Sequence, residues 1–334
     1  MRRSISAIML ALAIGILSIS IPVASAATSA RLSAAPRSPG KFGVRLVDVP
    51  VSEAGNPRAL DYIIDYLPTG TVIHRRILIS NDEPQTSRFS IYPAAAHITG
   101  GQFTGYSGAA RNELTTWVSV RHPVVTLAPG ASVMDMVTIK VPRGATRGEH
   151  YGVIWVQQRA RTRTGTKFTV IEVSRVGIRM YVAVGRGGAP PTSFDITSIT
   201  GRWSPTGQPI IVAHVNNTGG RALDLNGTAS LADGPGNTSS GPFHAQKIVT
   251  LAPGQSGNVT FAAPRNLPQG FWRATVTLVS GLTTARATTT ILLAERVAAQ
   301  AGMSYTQRIG LGFGGLVLVV VMGWYALRRR RVLA

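Results

Sequence analysis

The hexapeptide Val125-Thr126-Leu127-Ala128-Pro129-Gly130 occurs a second time as Val249-Thr250-Leu251-Ala252-Pro253-Gly254. The residues that follow repeat in the same order. Ser132 matches Ser256, Val137-Thr138 matches Val259-Thr260, and Pro142-Arg143 matches Pro264-Arg265. Each copy then reaches a glycine ahead of an aromatic strand, Gly148 before Tyr151 and Gly270 before Phe271. Upstream, Ile79-Ser80-Asn81 parallels Val215-Asn216-Asn217. Proline followed by glycine fixes a tight turn between neighbouring strands, and the alternation after it fills a core between two sheets. The repeat therefore predicts one β-sandwich made twice.

The rest of the chain agrees with an all-β reading. Short alternating runs such as Phe42–Val49, Val72–Ser80, Met134–Val141 and Tyr151–Gln158 read as strands of the first copy, with Leu60–Leu67, Phe89–Tyr92, Val124–Leu127, Phe168–Val173 and Val176–Val184. The second copy reads as strands from Phe194–Thr200 to Ala285–Leu293, broken by turns every eight to twelve residues or so. His97–Thr115, rich in glycine, reads as a long irregular loop of the functional or mobile kind. Trp155 and Trp272 are expected to fill the two cores.

Both ends read as membrane signals. Arg2 and Arg3, an apolar run and Ala24-Ser25-Ala26 form a signal peptide, 1–26. Near the other end Ile309–Leu327 is uncharged and runs into Arg328, Arg329, Arg330 and Arg331, as a membrane span does ahead of a cytoplasmic basic tail. The expected order is signal peptide 1–26, disordered leader 27–40, sandwich 41–187, linker 188–191, sandwich 192–294, stalk 295–308, transmembrane helix 309–327 and cytoplasmic tail 328–334. The expected fold class is all-β, with two tandem immunoglobulin-like sandwiches. The placement is a single-pass membrane protein with its bulk outside the cell.

Composition narrows the function. There is no cysteine, so hydrophobic cores must hold an exported chain without disulfides. The net charge of +20 calls for anionic neighbours, and export makes nucleic acid an unsuitable one. The histidines are scattered without metal-ligand spacing, and no H-E-x-x-H, G-x-S-x-G or S-x-x-K with K-T-G set occurs. No enzyme activity and no cofactor are expected. The candidate contact is a basic hairpin. Arg159, Arg161 and Arg163 are spaced by two, so a strand places them on one face, and Lys167 returns beyond Thr164-Gly165. Such a face either protects an edge from aggregation or holds an anionic polymer.

Several segments also resemble the N-terminal domain of WxL-interacting proteins, surface proteins of Gram-positive bacteria. These are Asp61-Tyr62-Ile63-Ile64-Asp65 leading to Pro68-Thr69-Gly70, Ile79-Ser80-Asn81, Thr126–Gly130 with Val141-Pro142, Tyr151–Ile154, and Ser174–Val182. The resemblance implies that the first sandwich binds cell-wall peptidoglycan and that the second engages a partner, for which another surface protein is a candidate. The expected function is thus a membrane-anchored protein of the cell surface, with peptidoglycan or an anionic wall polymer as partner. The alternative is an accessory scaffold subunit of an exported enzyme or membrane transporter complex.

Overall fold

The computed structural model describes residues 42–164 and 168–294. The expected signal peptide, leader, stalk, transmembrane helix and tail lie outside the described residues. Among the described residues no helix is long and apolar enough to cross a membrane.

The chain is all-β, in two domains of sandwich-like form with few helices. In the first domain β1 (Phe42–Leu46), β3 (Val72–Asn81), β8 (Ser132–Lys140) and β6 (Val118–Val120) form one sheet in the order β1-β3-β8-β6. The facing sheet runs β2 (Ile63–Leu67), β10 (Phe168–Val184), β9 (Gly148–Thr164), β4 (Ser87–Thr99) and β5 (Gln102–Gly105), with β7 (Val124–Leu127) also on β4. Ile77, Ile79, Val137 and Ile139 of the first sheet meet Phe89, Ile91, Ile154, Val156 and Met180 of the second, all buried. Each such side chain contributes about 1.5–3 kcal/mol by leaving water, which is how the domain holds together without disulfides.

The second domain pairs β11 (Phe194–Trp203), β12 (Pro209–Asn217) and β16 (Ser256–Ala262) against a sheet ordered β14 (Thr238–His244), β13 (Leu223–Gly234), β17 (Gly270–Ser280), β18 (Thr283–Leu293), with β15 (Val249–Leu251) also on β13. Trp272 fills its core, together with Phe261, Val259, Leu278 and Leu293.

The repeated sequence has a repeated job. The Asn81 side chain donates to the carbonyls of Leu127 (3.0 Å) and Ala128 (3.1 Å), while its own backbone oxygen accepts from Gly130. Asn217 donates to Leu251 (3.1 Å) and accepts from Gly254 in the same way. Each asparagine ties a strand end to its Pro-Gly turn, where Gly130 and Gly254 take positive φ.

Four local expectations are corrected. The strand expected from Leu60 begins at Ile63, because a helix α1 (Arg58–Asp61) precedes it. Pro57 presets its start and the Asn56 side chain accepts from the Arg58 N–H. The loop 97–115 is largely ordered, holding the end of β4, β5 and the start of a helix α2 (Glu113–Trp117) with a reciprocal Asn112–Thr115 cap. β10 is one strand through Ser174 and Arg175, which pair with Gln158 and Gln157. Trp155 lies on the outer face of its sheet, over Gly177, and donates to the Tyr106 carbonyl at 2.9 Å.

Candidate functional site

β9 and β10 are the longest strands in the described structure, and they do two things along their length. At one end they enter the contact between the two domains. Tyr181 of β10 packs with Ile64, Ile98 and Ala222, and with the rings of Tyr62, Phe103 and Tyr151 around it. The Arg58 guanidinium lies over the Tyr181 ring at 5.0 Å, and that of Arg179 over the Phe103 ring at 4.9 Å. Both arginines converge on the buried Asp224, at 2.7 Å and 3.4 Å. Thr250 adds a hydroxyl to the same carboxylate at 2.7 Å. Glu149 of β9 accepts from the Ala222 N–H (2.6 Å) and the Tyr151 hydroxyl (2.9 Å), and burial pushes its carboxyl up. Arg221 closes onto Glu53 at 2.7 Å. The cluster fixes the direction in which the two strands leave the domain interface.

At the other end the strands outrun their sheet. β4 pairs β9 only from Ala95↔Gly152 to Phe89↔Gln158. β2 pairs β10 only over Met180–Val184, in parallel. Beyond these limits β9 and β10 pair with each other alone, out to Thr164↔Phe168. The result is a two-stranded ribbon about 20 Å long, at roughly 3.3 Å per residue. Among the described residues no strand pairs the edge of β10 away from β9 over Phe168–Arg179.

The register decides what the ribbon presents. Arg159 stands opposite Val173, Arg161 opposite Ile171, and Arg163 opposite Thr169. Directly opposed residues share a face, so Arg159 stands on the same side of the ribbon as Val173; the side chains of Arg161 and Arg163, and Lys167 altogether, lie outside the described residues. The apolar half of that face went unread in the sequence. Ile171 is 57% exposed and Val173 40%. At the ribbon's root the Gln157 amide oxygen accepts from the Tyr92 hydroxyl (2.7 Å) and from Arg175 Nε (2.9 Å). Burial raises the Tyr92 pKa, which keeps that phenol a donor.

The arrangement offers hydrogen-bond donors and an open backbone edge, which suit it to binding. Among the described residues no group of three or more His, Asp or Glu could hold a metal ion.

No protein family's sequence profile matches the chain, and no curated protein matches it. Solved structures of similar form include chaperones, among them the class 5 fimbriae chaperone CfaA. The SafB chaperone of Salmonella enterica, solved with the SafA pilin, is 11% identical over 74% of this chain and 97% of that one, with a TM-score of 0.40. The E. coli chaperone DraB is 12% identical over 68% and 94%, at 0.37. The periplasmic chaperone SfaE is 11% identical over 73% and 98%, at 0.36.

The expected resemblance to WxL-interacting proteins is corrected: no family's sequence profile matches the chain, and the similar structures are described as chaperones. The segments that carried it are fold elements. Pro129-Gly130 is a turn, and Val153, Ile154, Met180 and Val182 are buried. They report a sandwich. The function drawn from the resemblance is corrected with it, in both its wall-binding form and its accessory-scaffold alternative. So are the expected partners, namely peptidoglycan or anionic wall polymer, a surface protein and the membrane. The placement as a membrane-anchored protein of the cell surface is corrected too; one of the similar structures is a periplasmic chaperone.

Proposed function

We propose that the chain is a non-enzymatic, polypeptide-binding protein that takes up an extended segment of another protein along β10. In this reading residues 41–187 and 192–294 are two immunoglobulin-like domains, and 1–26 is an export signal. The observation that carries the proposal is the unpaired edge of β10 over Phe168–Arg179 beside exposed Ile171 and Val173. A row of unpaired backbone N–H and C=O groups is a template for one more strand. Main-chain hydrogen bonds supply affinity, and the side chains on the two faces supply selectivity. The charge of Arg159 on the same face works against pairing between two copies of this chain, because like charges would meet. The two domains meet at the opposite end of the same strands, in the cluster around Asp224 and Tyr181.

The test is photo-crosslinking in the producing cell, with a photoreactive residue in place of Ile171, Val173 or, as a control, Thr288 on the second domain. The expected result is a crosslink from the first two positions to one defined segment of another polypeptide, identified by peptide mass spectrometry. Crosslinks that are absent, or equally strong at Thr288, contradict the proposal.

A further inference from the structure

An open cavity of about 410 Å³ lies on the outer face of the β10-β9-β4 sheet, level with the root of the ribbon. Ser90 and Tyr92 of β4, Gln157 and Arg159 of β9, and Gly108 and Ala109 of the connection between β5 and α2 line it. The Gln157 amide is held in one orientation, because its oxygen already accepts from both Tyr92 and Arg175. Its nitrogen is turned the other way, and no described residue accepts from it. Arg159 takes part in none of the ion pairs among the described residues. No acidic side chain lines the cavity. Glu172 of β10 stands opposite Ala160, so it belongs to the other face of the ribbon.

The cavity therefore gathers the Ser90 hydroxyl, the Gln157 amide N–H groups and the Arg159 guanidinium, with nothing acidic to accept from them. We infer that it binds a carboxylate carried by the segment that pairs with β10. The inference rests on the strand-addition reading. A carboxylate is acceptor-only, with about four lone-pair sites, and it matches a guanidinium flanked by neutral donors. The geometry allows delivery. Arg175 of β10, Gln157 of β9 and Ser90 of β4 stand in one row across the sheet. Two strand spacings of about 4.8 Å separate β10 from β4, and about three residues of extended chain cover that span. A segment that leaves the β10 edge near Arg175 and crosses the outer face thus brings an Asp or Glu to the cavity. The partner expected here is apolar where it lies against Ile171 and Val173 and acidic immediately after.

The experiment uses the full chain and three labelled synthetic peptides. Each is an alternating valine-threonine strand followed by glycine, then by two glutamates, two glutamines or two lysines. Fluorescence anisotropy at low salt gives the dissociation constants. The glutamate peptide is expected to bind about tenfold more tightly than the glutamine peptide, with lysine weakest. Arg159→Ser is expected to erase the difference between the glutamate and glutamine peptides, with its melting curve checked against the parent. Ser90→Ala serves as an independent second variant and is expected to narrow the gap. Equal affinity for the glutamate and glutamine peptides overturns the carboxylate subsite and leaves strand addition standing. Absence of binding by all three overturns both.

Discussion

Arg58 and Asp224 are separated by 166 positions in sequence, and the Arg58 Nε donates to the Asp224 Oδ2 at 2.8 Å. The pair joins the two domains at a point where both side chains are nearly out of water, 10% and 5% exposed. Its Coulombic attraction offsets a desolvation cost, so its net worth is small while both partners are present. Removing one partner is different, because the other stays behind buried and uncompensated.

Asp224→Ala is accordingly expected to cost about 3–5 kcal/mol. It strands Arg58 and Arg179 at the interface and removes the acceptor of Thr250. Scanning calorimetry checks this: the parent should melt in one transition, and the variant in two, as each domain unfolds on its own core. A variant that keeps one transition at the parent temperature contradicts the role given to this carboxylate.

Asn81 is expected to matter more than its size suggests. Asn81→Ala leaves the buried carbonyls of Leu127 and Ala128 without their donor, at a cost of about 2–3 kcal/mol. Asn217→Ala should do the same to the second domain through Leu251. Urea titration of each variant should show a lower midpoint, and equal midpoints would deny the asparagines a part in holding the Pro-Gly turns.

Glu149 makes a pH-dependent prediction. Burial raises its carboxyl above the ordinary value of 4.5, so the folded protein holds this proton more tightly than the unfolded chain does. The stability it contributes is fully present below about pH 4.5 and is lost as pH rises through the folded value. Glu149→Gln keeps an acceptor for Ala222 N–H and the Tyr151 hydroxyl while removing the buried charge. It should therefore melt above the parent at pH 7, with the gap shrinking toward pH 4.5. A gap that widens on acidification would reverse the sign of the argument.

Gly177→Ala probes the root of the ribbon. A Cβ there would lie 2.6 Å from Cε3 of Trp155 and 2.8 Å from Cγ2 of Val153. Overpacking of this kind costs about 1–3 kcal/mol. The indole must tilt away from its hydrogen bond to Tyr106, so tryptophan emission should shift along with the lower melting temperature. Unchanged emission would mean that the ring does not rest on Gly177.

Much of the fold was legible because local rules settle it. The paired Val-Thr-Leu-Ala-Pro-Gly segments announced two sandwiches, and alternation located most strands. The Asn112–Thr115 cap went unread, because the glycines around β5 gave the stretch the look of a loop. Trp155 was misplaced because Val153, Ile154, Trp155 and Val156 are all apolar, so alternation gives no parity there; only the facing Gly177 does. The domain interface was out of reach, since Arg58, Arg179 and Asp224 meet only after both domains fold. The ribbon was half legible. Spacing sets Arg159, Arg161 and Arg163 two apart on one strand, while the register that sets Ile171 and Val173 opposite Arg161 and Arg159 comes from pairing across the hairpin.

Amide hydrogen exchange on the full chain, with and without the valine-threonine peptide ending in two glutamates, tests the central claim most directly. Strand addition predicts slowed exchange in Phe168–Arg179 of β10, with β18 (Thr283–Leu293), also at the edge of its sheet, unchanged. Slowing at β18, or none at β10 under saturating peptide, would contradict it.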